Sequence, residues 1–235
     1  MKKLILFDID GTILNFKHGI AKSLFADLIS ELFGKEVPDS AIPDFWGMTD
    51  LQILRIISQN IGVSYDETLK ILPTIWSRIY ISFEEHTTIE NVKILPGVVE
   101  LINDLHDNPD IQLGLITGNF FENAYLKLRA HNLDKFFPIG AFGSDSDDRN
   151  MLPPIAIKRA NEFVGSQIFT SNNTLIIGDT PRDIDCAKAH NIAVLCVATG
   201  SMTFDELSLL NADFVLNDLS DTTNTLEIIN RLIEN

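Results

Sequence analysis

At 235 residues and 45% hydrophobic content, the chain is long enough to bury one sizeable core, or a core with a smaller partner domain. Its 33 acids against 18 bases give a formal charge of −15, and no basic stripe runs along it, which argues against nucleic acid as a partner. No apolar stretch approaches the roughly 20 residues that span a bilayer, so no membrane anchor is expected.

The opening MKKLILFDID places two lysines before an apolar run, but Asp8 and Asp10 interrupt that run too early for a secretory signal, so a globular cytoplasmic protein is expected. Residues 4–7, LILF, read as a buried strand of a parallel sheet with the acids at its carboxyl end. Residues 19–34 set Ile20, Leu24, Phe25, Leu28, Leu32 and Phe33 at helical spacing and stop at Gly34. Further helical stretches at 50–61 and 65–86, interrupted by Pro73, leave no strand between Ile13 and Val92. This part reads as an all-helical insertion joined to the rest near 13–17 and 87–95, with Trp46 and Trp76 among its packed aromatics.

From Val92 the pattern alternates: helix 97–107, strand 112–117, helix 120–131, strand 139–143, helix 154–164, strand 174–178, helix 183–190, strand 193–198, helix 204–210, strand 213–216 and helix 224–233. Repeated βα units predict an α/β, three-layer Rossmann-like core with a mostly parallel sheet, binding its ligand beyond the carboxyl ends of the strands. Cys186 and Cys196 fall in separate elements with no metal or redox spacing and read as buried fillers.

Three apolar strands end in small or acidic polar residues: LILFDIDGT at Asp8 to Thr12, LGLITGN at Thr117 to Asn119, and TLIIGDTPRD at Gly178 to Asp183. Any one of these acids alone reads equally well as the cap of the following helix. Together, parallel strands bring several carboxylates to one end of the sheet, where unpaired anions repel and a hard divalent cation, magnesium above all, resolves the repulsion. An acidic surface also repels an anionic substrate, so a phosphate site must gather positive charge locally. Thr117 with the amides of Gly118 and Asn119 offers neutral donors to phosphoryl oxygens, although an isolated TGN would be an ordinary strand-to-helix turn.

The DxDGT, LITGN and GDxxxD segments resemble the first, second and fourth motifs of the haloacid dehalogenase-like hydrolase superfamily, and the resemblance covers essentially the whole chain. ILPGVVELI, GDTPRDIDCAKAHN and the closing VATG resemble its phosphoglycolate phosphatase-like branch, which has a helical cap inserted after the first motif. The resemblance implies a catalytic core of residues 1–14 and 93–235 with a cap of residues 15–92. It implies Asp8 as nucleophile, Asp10 as general acid and base, and magnesium held by Asp8, the Asp10 carbonyl and Asp179, with Asp183 orienting a nearby group from behind. An acid at position 10 favours phosphoryl transfer over dehalogenation, because an alkyl halide needs no proton. The family's third motif carries a lysine just before a proline-containing helix start, so the resemblance favours Arg149, ahead of Pro153 and Pro154, as the cation that neutralises phosphate and the Asp8 anion, over Lys158 a turn inside.

In the cap, FWGMTDLQIL resembles the segment that points substrate-selecting groups at the site. Thr49 and Asp50 are therefore candidates, though they also suit the N-cap and first turn of a helix. His18 sits where a hinge would lie, from which it could approach substrate as the cap closes, although a lone exposed histidine usually has no function. The expected function is magnesium-dependent hydrolysis of a small phosphorylated metabolite through an aspartyl phosphate, phosphoglycolate phosphatase-like. Rival readings are a phosphosugar mutase similar to β-phosphoglucomutase and a non-catalytic phosphometabolite sensor.

Overall fold

The computed structural model describes residues 2–233. The chain opens with β1 (Lys3–Phe7) and β2 (Leu14–Phe16), runs through α1 (Ile20–Phe33), α2 (Asp50–Asn60), α3 (Tyr65–Lys70) and α4 (Leu72–His86), and returns by β3 (Val92–Ile94). It continues as α5 (Val98–His106), β4 (Ile111–Ile116), α6 (Phe121–Arg129), β5 (Gly140–Ala141), α7 (Leu152–Val164), β6 (Thr174–Gly178), α8 (Pro181–Lys188), β7 (Ala193–Val197), α9 (Phe204–Ser208), β8 (Phe214–Leu216) and α10 (Thr222–Ile233).

The main sheet has six strands in the order β5-β4-β1-β6-β7-β8, with every pairing parallel. Both faces are covered, because alternate side chains of a strand point to opposite sides. Ile5 and Phe7 pack with Leu101, Leu105, Ile228 and Ile229 of α5 and α10. Leu4 and Leu6 pack with Leu152, Ala156 and Ile184 of α7 and α8. Both cysteines are buried and unbridged, and burial chiefly pushes the Cys186 thiol up to about 12. Burial raises the Cys196 thiol as well, which disfavours the nucleophilic thiolate at both positions.

Three expectations do not hold. A strand does lie between Ile13 and Val92: β2 pairs antiparallel with β3, Leu14 opposite Ile94 and Phe16 opposite Val92. Three residues are too few for a period-two pattern to stand out, and the pairing arises only because the two passages between the helices and the sheet run side by side. Trp46 is 57% exposed and is no packed aromatic, whereas Trp76 stacks on Phe120. Pro73 lies in the first turn of α4, so the break falls at Ile71, between α3 and α4. Helices α1, α2 and α4 enclose their own apolar cluster, including Phe25, Ile29, Leu54, Ile57, Ile75 and Ile79.

Candidate active site

Sheet order assembles the site. Strand β1 lies between β4 and β6, so the sequence proceeds outward from it in both directions, and this reversal opens a crevice beyond the strand ends. Asp8 follows β1, Thr117 follows β4 and Asp179 follows β6, all three at that crevice. The Asp8 amide extends the ladder by donating to the Ile177 carbonyl at 2.9 Å. The chain then turns at Gly11, whose φ of +89° suits glycine, and a Cβ there would overlap the Asp179 carboxylate.

One oxygen from each of Asp8, Asp179 and Asp183 can be chosen so that all lie within 4.8 Å of one another, and all three residues are buried. Arg149, 5% exposed, lies among them. Its Nη2 is 3.1 Å from Asp8 Oδ1 and 2.5 Å from Asp183 Oδ1, and its Nη1 donates to the Gly47 carbonyl at 3.2 Å. Burial opposes the Arg149 charge, but Asp183 and Asp8 outweigh it and hold the guanidinium well above its ordinary value. Asp8 is pushed up to about 7, mainly by burial, with Asp183 and Asp10 adding to the shift and Arg149 opposing it. Burial, then Asp8 and Asp183, raises Asp179 well above the carboxylate range.

Three buried carboxylates against one guanidinium leave an excess of negative charge, and the all-oxygen donor set fits a hard divalent cation such as magnesium. Asp183 is the most fully engaged of the three. Its Oδ2 accepts from the Thr180 amide at 3.0 Å and the Thr180 hydroxyl at 2.6 Å in a capping box, while Arg149 takes its Oδ1. Asp179 accepts from the Thr12 hydroxyl at 3.2 Å. Asp8 and Asp179 are thus the better placed of the three to hold a metal, with Asp183 fixing Arg149 from behind.

On the other side, the Thr117 hydroxyl accepts from Asn119 Nδ2 at 2.7 Å and from the Asn119 amide at 3.3 Å. That leaves the hydroxyl proton of Thr117 to be donated. The missing side chain of Gly118 accommodates protein: a Cβ there would overlap the Met48 carbonyl, and the Gly118 carbonyl accepts from the Asp50 amide at 2.7 Å. The start of α2 is thereby docked on the strand ends.

Thr49 is the buried N-cap of α2, accepting from the Gln52 amide and donating to the Asp147 carbonyl at 3.1 Å. Asp50 is buried and accepts from the Phe120 amide at 2.7 Å; burial raises its pKa to about 7 against that hydrogen bond. Asp50 and the exposed His18 line a cavity of about 880 Å³ that also reaches Asp8, Thr117, Arg149 and Asp179. Lys158 is 76% exposed and pairs with Glu162 at 3.6 Å, away from the carboxylates.

Sequence reasoning missed Lys127. It emerges from α6 with its side chain 4% exposed, and its Nζ lies 2.8 and 2.7 Å from the two carboxylate oxygens of Asp10. The available signal was spacing: Lys127 falls with Asn123, Ala124 and Leu128 on the buried stripe of the helix, where a lysine needs an anionic partner.

The Arg149 fork gives a first prediction. Arg149→Lys presents one point charge that cannot reach Asp8, Asp183 and the Gly47 carbonyl together. Its expected cost is about 1–3 kcal/mol of stability, read from denaturant unfolding, by the measure of a hydrogen-bonded charge left short of partners.

A family model described as haloacid dehalogenase-like hydrolase matches residues 5–197. A pyrophosphatase PpaX from Listeria innocua is 25% identical over 217 residues, covering 92% of this chain and 93% of the relative. A phosphoglycolate phosphatase from Vibrio parahaemolyticus is 26% identical over 221 residues, covering 93% of each. Among solved structures, β-phosphoglucomutase from Clostridium difficile aligns with a TM-score of 0.72 at 19% identity over 100% of both chains. CbbY from Rhodobacter sphaeroides, in complex with phosphate, aligns at 0.68 and 16% identity, covering 94% of this chain and 96% of that one. At these identities the structural likeness is one of fold.

Proposed function

The chain belongs to the haloacid dehalogenase-like hydrolases, and from that premise we propose that it hydrolyses small phosphate monoesters by transferring the phosphoryl group to Asp8 and then to water. The observation that carries this reading is the setting of Asp8. It is a buried carboxylate at the crevice, 3.1 Å from one guanidinium and one of three carboxylates whose oxygens could share a metal ion, and it opens onto a cavity large enough for a small metabolite.

Each residue then has a task. An Asp8 oxygen attacks phosphorus while the ester P–O bond breaks, and Asp10 gives its proton to the leaving oxygen. Asp10 next takes a proton from the water that displaces Asp8. Arg149, the Thr117 hydroxyl and the Gly118 amide would meet the charge on the transferring oxygens, while the Asn119 amide is given to the Thr117 hydroxyl. Asp8 and Asp179, with the Asp10 carbonyl, would hold magnesium, which supplies charge neutralisation for the phosphoryl group. Uncatalysed monoester hydrolysis needs accelerations of up to about 10²¹, so convergence of several cationic and donor groups on one phosphoryl group is the arrangement such chemistry requires.

Residues 15–92 serve in this reading as a cap closing over the strand ends, with the cavity-lining Asp50 and His18 as the candidates to contact the leaving group and Thr49 holding α2 in place. Closure excludes bulk water. A panel of small phosphorylated metabolites, phosphoglycolate and hexose phosphates among them, assayed for phosphate release with and without magnesium, tests the proposal. Magnesium-dependent phosphate release is expected. A hexose phosphate converted to its isomer without free phosphate would assign a mutase, and phosphate binding with no turnover of any ester would assign a sensor.

A further inference from the structure

Burying a lysine ammonium is expensive unless it is paired and hydrogen-bonded. Lys127 meets that requirement completely: its Nζ lies 2.8 Å from Asp10 Oδ1, 2.7 Å from Asp10 Oδ2 and 2.7 Å from Asn119 Oδ1. The ammonium also stands 5.3 Å from the Phe16 ring centroid and 5.8 Å from that of Phe83, which wall off its other side. Asn119 closes the network, since its Nδ2 donates at 2.7 Å both to Asp10 Oδ2 and to the Thr117 hydroxyl.

The contrast in exposure gives the arrangement its meaning. The Asp10 side chain is 40% exposed to the cavity, while its partner is 4% exposed. An exposed carboxyl left alone would sample several rotamers. Anchored by a buried cation, it is confined to one.

We propose that Lys127 is a positioning residue for Asp10, fixing its carboxyl at the cavity wall and tying it through Asn119 to the Thr117 hydroxyl, so that proton donor and phosphate-binding group keep one relative geometry. This rests on the phosphatase reading and adds to it a residue lying outside the DxDGT, LITGN and GDxxxD segments. In the step concerned, an Asp8 oxygen forms its bond to phosphorus. The ester P–O bond breaks with its electron pair on the leaving oxygen, and that oxygen takes the proton from the acid form of Asp10, which is left as the carboxylate paired with the Lys127 ammonium. Loss of positioning therefore matters where the leaving oxygen is strongly basic, as in an alkyl phosphate, and matters little for p-nitrophenyl phosphate, whose leaving group is a stable anion.

The experiment compares Lys127→Met, which keeps the length of the stem and removes the charge, on those two esters in the magnesium-loaded protein. Single-turnover release of the alkyl alcohol is expected to fall by about 30- to 100-fold, the scale of a catalytic group displaced by about 1 Å. Release of p-nitrophenol should fall by no more than about threefold, and half-saturating concentrations should stay within about twofold. In an Asp10→Asn background the substitution should add nothing, because the lysine acts only through Asp10. Lys127→Gln carries the same expectations should the methionine variant fail to fold. Equal losses on both esters, a rise confined to half-saturation, or a further loss beyond Asp10→Asn would each overturn the inference. A parent protein that turns over neither ester defeats the phosphatase reading and this inference with it. An active parent, an inactive Asp8→Asn and an unimpaired Lys127→Met defeat the inference alone.

Discussion

Asp8→Asn protein is expected to lose about a thousandfold or more in phosphate release, because the amide cannot form the phosphoaspartate and no neighbouring group replaces it. The same substitution should not lower stability in the absence of metal. In the folded protein Asp8 titrates at about 7, against an ordinary value of 3.8, chiefly because burial disfavours its charged form. A carboxyl whose folded pKa is raised binds more protons folded than unfolded, so its contribution to stability falls as pH rises from the unfolded value through the folded one. At pH 8 the parent therefore bears the full cost of a buried anion beside Asp179 and Asp183, and the neutral asparagine does not. Thermal midpoints of the two proteins in EDTA at pH 8 should place Asp8→Asn level with the parent or above it. A variant that keeps parental turnover, or unfolds well below the parent, would remove Asp8 from the centre of the mechanism.

Withdrawing magnesium has the second largest expected effect, with turnover falling to background in EDTA and returning when the ion is restored. The physical ground is the excess of carboxylate over guanidinium in the trio of Asp8, Asp179 and Asp183. A ligand that binds only the folded chain stabilises it by mass action, about 2.7 kcal/mol at a hundredfold excess over its dissociation constant, so magnesium should raise the thermal midpoint. Because the metal needs ionised carboxylates and Asp8 and Asp179 are both raised, the rise should be larger at pH 8 than at pH 6. Asp179→Asn should abolish most of the rise while leaving a folded protein. A midpoint indifferent to magnesium at pH 8 would argue against the metal assignment.

Much of the core was legible because its determinants are local. Four consecutive apolar residues ending in DxD can be read as a buried strand with a functional carboxyl end, and here they are the central strand, its ladder continued by the Asp8 amide. The repeated βα periodicity specified a parallel sheet, and the positions of Asp8, Thr117 and Asp179 at strand ends followed from it. Arg149 could be preferred to Lys158 because Pro153 and Pro154 mark a helix start, which puts Arg149 just ahead of α7 and Lys158 well inside it.

What stayed hidden depends on pairings that no local pattern records. Lys127 and Asp10 are 117 positions apart, and only the packing of Ala124 and Leu128 of α6 into the cluster that holds Phe7 and Ile9 brings them together. The β2 and β3 pairing is also long-range, and each strand is too short to show its period. In the sequence Gly118 reads as an amide donor to phosphate, whereas its missing side chain makes room for the Met48 carbonyl, a contact that exists only once the helical segment is folded onto the strand ends. Sequence by itself determined the elements, their order and the chemistry at the end of each strand, since these rest on hydrophobic period and backbone preference within a few residues. Tertiary structure alone decided which charges meet. The burial that lifts Asp8 and Asp179, and the partner that makes a buried Lys127 tolerable, both come from side chains brought together across the fold.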